Sequence, residues 1–244
     1  APKNQAETDQ DKYESIADNI DFYTWLAYGS LNSKNNSKNI YPRINQLLHE
    51  QLEQNQEWVV LDVGCGVGRT LYDNSRHFTN SQFIGFDYSL NMLKRARQIL
   101  LEGDKLQVDL SSSGLPAFNL NGIKQNNVHL IQGSVDELPF KTNLVDVVIN
   151  TFLIDRVEDV RLALAEMVKV LKPGGLFILS SPLNFQTTKG WEFGNPQAIL
   201  SLLTELGIEQ LVFEDNILHE EVLDSRGNTK LWNALVIYGR KRQV

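Results

Sequence analysis

Leu61-Asp62-Val63-Gly64-Cys65-Gly66-Val67-Gly68 sets three glycines at alternate positions behind an acid. Glycines at a strand-to-helix turn let backbone and ligand approach closely, beside the unpaired N–H groups of a helix start. The spacing is G-x-G-x-G and not the G-x-G-x-x-G of the dinucleotide fingerprint. Asp87 follows Gly68 by 19 residues. There a carboxylate can accept both hydrogen bonds of a ribose diol. Taken singly, each feature has a structural reading: glycines as a plain turn, and Asp87 or Ser89 as a helix N-cap.

A second group offers substrate chemistry. Asp155 and Arg156 could hold the two charges of a zwitterion; a surface salt bridge or helix-start acid is the competing reading. Arg43 could reach a cofactor carboxylate or stand solvated at a helix start. Tyr13, Tyr23, Trp25 and Tyr28 could form an aromatic lid over a cation, though such a stripe also suits a core. Trp191 and the Ser180–Phe185 loop could line a pocket or simply pack. His49, His77, His129 and His219 are scattered without ligand spacing, so they read as surface or core residues and no metal is expected.

These residues need elements to bring them together. Short apolar runs at 58–63, 82–86, 128–131, 144–150 and 176–181 read as buried strands. Helices are predicted over 68–77, 89–101, 160–171 and 196–206. Residues 102–127 are polar with Gly and Pro and read as one long connection. Residues 211–223 and 230–240 read as a closing hairpin. Upstream, 1–12 are expected to fray, helices are expected over 11–27 and 41–55, and 29–39 reads as a loop. This alternation predicts an α/β, Rossmann-like three-layer sandwich. Its sheet would be seven-stranded and mainly parallel, with an antiparallel C-terminal strand. Residues 1–55 form an N-terminal helical cap of the same domain, and 56–244 the ligand-binding domain.

Composition narrows the partners. Hydrophobic residues make up 42% and charged residues 22% of 244, which is ordinary for a globular chain. The lone Cys65 excludes an internal disulfide and a thiolate zinc site. The net charge of -7 disfavours a phosphate backbone, so no nucleic acid is expected. No apolar stretch approaches the ~20 residues of a transmembrane helix, and Ala1–Gln10 lacks the apolar centre of a signal peptide. No membrane partner and a cytoplasmic setting are therefore expected.

Five segments, in order, resemble the motifs of class I S-adenosylmethionine-dependent methyltransferases of the small-molecule type. They are 61–68, Gly85-Phe86-Asp87-Tyr88-Ser89, Gly133–Phe140, Asp146–Asn150 and Val170–Gly175, within residues 55–182. The resemblance implies S-adenosylmethionine as cofactor and S-adenosylhomocysteine as product. It places Gly64, Gly66 and Gly68 beneath the methionine part, Asp87 on the ribose and Tyr88 on the adenine, and counts Asp62, Cys65, Met92, Thr151 and Arg43 among the cofactor-binding residues. Val135 would meet the adenine edge through its N–H, and Asn150 would lie near the methionine amino group. Ser134 stands where the family often has Asp, so adenine contact there is weaker, unless Asp136 substitutes. Asp155 and Arg156 stand where many relatives carry paired histidines. Together with Tyr23, Tyr28 and Trp191 they are the expected acceptor-side residues.

A finer resemblance links Leu153–Val157, Ser181-Pro182 with Trp191, and Tyr28-Gly29 before Tyr41-Pro42-Arg43 to the methyltransferase part of ovothiol synthases. That implies an amino-acid-like or imidazole nitrogen as acceptor. The expected function is methyl transfer to a small molecule. The alternatives are a non-catalytic cofactor-binding subunit and, behind it, a nicotinamide-dependent oxidoreductase.

Overall fold

Val59–Val63 forms the first strand (β1), and four of its five residues are buried. A strand covered on both faces reads as an apolar run and not as an alternation. Its side chains still divide by parity. Val60 packs with Phe83, Val147 and Ile178, while Leu61 and Val63 pack with Val148, Phe177 and Leu179. The computed structural model describes residues 17–31, 38–111, 114–185 and 187–243. The stretch expected to fray, with Tyr13, and much of the 29–39 loop lie outside those residues.

The other strands are β2 (Gln82–Asp87), β3 (Lys105–Val108), β4 (Phe118–Asn121), β5 (Val128–Gln132), β6 (Val145–Thr151), β7 (Leu171–Ser181), β8 (Ile208–Val222) and β9 (Thr229–Lys241). Seven form one sheet in the order β5-β2-β1-β6-β7-β9-β8. The pairs β1–β2, β1–β6, β2–β5 and β6–β7 are parallel, and β9 runs antiparallel to β7 and β8. The predicted three-layer sandwich with one antiparallel strand is thus the fold. Chain order reverses at β1, with β2 on one side and β6 on the other, so a crevice opens at the C-terminal ends of these strands.

The helices are α1 (Ala17–Tyr28), α2 (Tyr41–Gln51), α3 (Arg69–Asn74), α4 (Leu90–Arg97), α5 (Val160–Val170) and α6 (Pro196–Glu205). Helices α1 to α4 bury Ile20, Ile44, Leu71 and Leu93 against one sheet face. Helices α5 and α6 bury Met167 and Leu203 against the other. Side-chain caps fix three starts: Ser89 Oγ accepts from Met92 N, Asp159 from Leu162 N and Asn195 from Gln197 N.

Several predicted elements differ, and the helix expected over 41–55 ends at Gln51. The helix expected over 68–77 stops at Asn74. The one over 89–101 loosens into a π-turn at Gln98–Glu102, closed by Gly103 at φ 72°. The long connection at 102–127 contains the β3–β4 ladder, with Leu106 opposite Leu120 and Val108 opposite Phe118. In β4 Phe118 and Leu120 are buried while Asn119 and Asn121 are exposed. Two apolar residues per strand are too few to stand out in a polar sequence.

Strand β8 is longer than predicted and carries two register shifts. At the second, Glu214 pairs with Val236 but Ile217 pairs with Ala234, so one extra residue is taken up. Asn216 adopts φ 60° there. The extra residue resets the alternation, so Glu214, Ile217, His219 and Glu221 share a face. That face looks toward α2, since Arg43 Nε and Nη2 donate to Glu214 at 2.7 and 2.5 Å.

Candidate active site

The glycine loop forms one wall of a cavity of about 580 Å³ at the C-terminal ends of β1, β2 and β6. Gly64 sits at φ +77°, and a Cβ there would lie 2.9 Å from Leu153 Cβ. Gly68 caps α3 at φ +83°, and a Cβ there would lie 2.6 Å from Leu100 Cδ1. Both positions therefore need glycine twice, for the backbone angle and for the space. The N–H groups of Gly64 and Cys65 both donate to Phe86 O, at 2.7 and 3.1 Å. This locks the loop onto the end of β2.

Asp87 completes that lock. Its Oδ2 accepts from Gly66 N at 2.7 Å and its Oδ1 from Ser89 N at 2.8 Å. A carboxylate can accept about four hydrogen bonds in all. Tyr88, about half exposed, and Met92 also line the cavity. After β5, Ser134 Oγ donates to Asp136 Oδ2 at 3.1 Å, and Asp136 N returns a hydrogen bond to Ser134 Oγ at 3.3 Å. The two residues face the cavity as a hydrogen-bonded pair beside Val135.

Of the expected site residues, Gly64, Cys65, Gly66, Thr151 and Tyr23 also line the cavity, as do Asp155 and Arg156. Six do not. Gly68 serves as the cap just described. Asp62 is buried behind the loop beside Thr70. Asn150 is buried, with Nδ2 donating to Val63 O at 3.3 Å. Arg43 is drawn off to Glu214, with Glu50 at 3.3 Å, so its guanidinium serves the hairpin and not a ligand carboxylate. Tyr28 is fully buried and donates its hydroxyl to Val67 O at 3.0 Å, and Trp25 is buried beside it in the core. Trp191 lies 67% exposed on a 3-10 turn at Gly190–Phe193, away from the cavity. Pro182 and Thr187 take the place expected of it.

Burial sets the protonation of the inner groups. It pushes the Asp62 carboxyl up to about 7, with the neighbouring Asp87 charge adding and a Thr70 hydrogen bond opposing. Asp155 is 1% exposed, and burial pushes its carboxyl up to about 6 against the pull of Arg156. Arg156 Nε stands 3.7 Å from its carboxylate. Burial, then Asp87, pushes the Cys65 thiol well up, so it is no thiolate nucleophile.

Sequence reading missed several lining residues. Arg69, one residue past the glycine loop, is the arginine that the cavity receives in place of Arg43. Its Nε binds Asp73 at 2.8 Å, one Nη donates to Ala27 O, and its guanidinium lies 5.1 Å from the Tyr41 ring centre. Its place beside Gly68 was the available signal. His219, Glu221 and Trp232 enter from the hairpin and Phe152 from the loop after β6. Their approach depends on the β8 bulge, for which the sequence carries no motif. Among the described residues, no three His, Cys, Asp or Glu side chains cluster as metal ligands. None of the described helices is long and apolar enough to cross a membrane.

A family model described as a methyltransferase domain matches residues 61–179. An uncharacterized methyltransferase of Schizosaccharomyces pombe is 29% identical over 116 residues, covering 48% of this chain and 37% of that protein. A demethylmenaquinone methyltransferase of Listeria monocytogenes is 34% identical over 117 residues, covering 48% of this chain and 41% of that protein. The chain thus spans about half or less of the length of these curated relatives. The phosphoethanolamine N-methyltransferase 2 of Haemonchus contortus, solved with phosphomonomethylethanolamine and S-adenosylhomocysteine, aligns at a TM-score of 0.66 and 16% identity. That alignment covers 100% of this chain and 62% of the other, and it speaks for the fold. Residues 61–179, just under half of this chain, thus match a methyltransferase domain, on a sheet that shares its fold with the S-adenosylhomocysteine-bound enzyme.

Proposed function

We propose that the chain binds S-adenosylmethionine in this cavity and transfers its methyl group to a small nitrogen acceptor, an amine or imidazole, in a cytoplasmic setting. The observation that carries this reading is charge. Asp87, Asp136, Asp155, Glu158 and Glu221 line the cavity against Arg69 and Arg156. Both guanidiniums already face carboxylates, Arg69 on Asp73 and Arg156 beside Asp155. An acid-rich pocket favours a sulfonium and an amine, and disfavours the pyrophosphate of a nicotinamide cofactor. The finer resemblance to the methyltransferase part of ovothiol synthases points to the same acceptor class.

The residues present suit that cofactor. Asp87 is a carboxylate at the end of β2, the group that a ribose diol would need there, and a Cβ at Gly66 would meet nothing within 4 Å, which leaves room beside the loop. Ser134 with Asp136, and the Val135 N–H, offer one acceptor and one donor to an adenine edge. Among the described residues, buried Thr151 Oγ and Asn150 Oδ1 have no hydrogen-bond partner at the end of β6, near where the methionine amino group is expected. When bound, S-adenosylmethionine supplies an electrophilic methyl whose thioether leaving group departs neutral. The chain therefore needs no general acid. Its task is to align the acceptor lone pair and to exclude water. A cation brought into the cavity, sulfonium or ammonium, would favour the charged form of buried Asp155.

The test is S-adenosylhomocysteine release from a panel of amines, imidazoles, thiols and phenols. Turnover is expected with nitrogen acceptors. Turnover confined to thiols or phenols overturns the acceptor class. Tight S-adenosylhomocysteine binding without turnover on any acceptor would identify a non-catalytic binding subunit instead.

A further inference from the structure

His219 and Trp232 oppose each other across the β8–β9 ladder, and Glu221 follows His219 on the same face. All three line the cavity. The bulge before Ile217 turns His219 and Glu221 to the face of Trp232. Strict alternation from Glu214 would put Leu218 and Glu220 on that face instead.

His219 is 4% exposed, and its Nδ1 has no hydrogen-bond partner among the described residues. A buried polar atom left unmet is costly and calls for an explanation. Burial pushes the imidazole down to about 4, so the ring is neutral at pH 7, with one donor and one acceptor nitrogen. Phe152 stands edge-on to it with ring centres 4.8 Å apart, and Tyr41 does so at 6.4 Å. Phe152 holds φ 56°, a strained angle for a bulky residue and one that clusters at functional sites. The Lys230 Nζ lies 3.7 Å from the Trp232 ring centre, so that ring already holds a cation on its π-face.

We propose that His219, Glu221 and Trp232 form the acceptor subsite, which takes a small amine carrying an aromatic or imidazole ring. Glu221 meets the ammonium, His219 hydrogen-bonds the polar edge, and Phe152 and Trp232 supply aromatic surface. This rests on the methyltransferase reading and adds which end of the cavity the acceptor occupies.

The experiment titrates histamine into the full chain saturated with S-adenosylhomocysteine, by calorimetry. Histamine is expected to bind. Glu221→Gln should weaken it at least tenfold, and His219→Gln and Trp232→Leu at least fivefold. Each variant should keep its S-adenosylhomocysteine affinity within twofold, which also shows that it is folded. No histamine binding to the wild type, or equal binding in the variants, overturns the subsite. So does a variant that loses both ligands together. A wild type that fails to bind S-adenosylhomocysteine strikes the methyltransferase reading itself, a result distinct from all of these.

Discussion

Asp87 Oδ2 accepts the Gly66 N–H at 2.7 Å, so the acid that ends β2 is tied to the loop that ends β1. One carboxylate thus shapes the loop and stands ready for the ligand. Asp87→Asn keeps the size but removes the charge and half of the accepting capacity. A hydrogen bond to a charged group contributes about 1.5–3 kcal/mol, which sets the scale here. S-adenosylhomocysteine affinity should fall by roughly 10- to 100-fold. Calorimetric titration would show this; an unchanged affinity removes Asp87 from the ribose.

Gly64 and Gly66 differ in what a side chain would strike. Gly64→Ala drives Cβ to 2.9 Å from Leu153 at a left-handed angle, and should cost stability of about 1–3 kcal/mol in urea unfolding. Gly66→Ala carries the same angular strain but meets open space, which is the cavity itself. It should lower ligand affinity more than Gly64→Ala does for each unit of lost stability. The reverse order would mean that the ligand does not pass Gly66.

The protonation of Asp62 gives a pH signature. Its folded-state value of about 7 lies above the ordinary 3.8, so the unfolded chain releases this proton first. Its contribution is intact below about pH 4 and is lost as pH rises toward 7. Asp62→Asn removes the titration. The stability difference, variant minus wild type, should therefore grow from pH 4 to pH 7 and then level off. A difference flat across that window would show that Asp62 ionises freely in the folded protein.

Arg69 and Asp73 form a pair with side chains only 6% and 12% exposed. Removing one partner leaves a buried charge unmet. Arg69→Met should cost about 3–5 kcal/mol by denaturant titration, and adding Asp73→Asn should return part of it. A double variant no more stable than Arg69→Met would show that the contacts to Ala27 and Tyr41, and not the ion pair, hold the arginine.

Much of this was legible in the sequence because the sheet is buried on both faces. Runs such as Val145–Thr151 and Leu176–Ser181 have no solvent side to break the pattern. The glycine loop and Asp87 were legible for another reason: their constraints are local, a backbone angle and a strand end. What escaped notice depends on long-range pairing. Arg43 looked available until β8 set Glu214 beside it, 171 residues away in sequence. Trp191 looked like a pocket wall, but nothing in Gly190–Phe193 states which way that turn faces. His219 looked isolated because its neighbours Phe152 and Tyr41 both lie far from it in sequence.

The bulge between Glu214 and Ile217 makes the cavity sensitive to length in an unusual way. Losing its extra residue would keep Ile217 opposite Ala234 and His219 opposite Trp232, whereas gaining one between Ile217 and Leu218 would exchange His219 and Glu221 for Leu218 and Glu220 at the cavity wall. A single-codon insertion could thus rewrite what this pocket recognises in one step, a change that substitution would reach only through several.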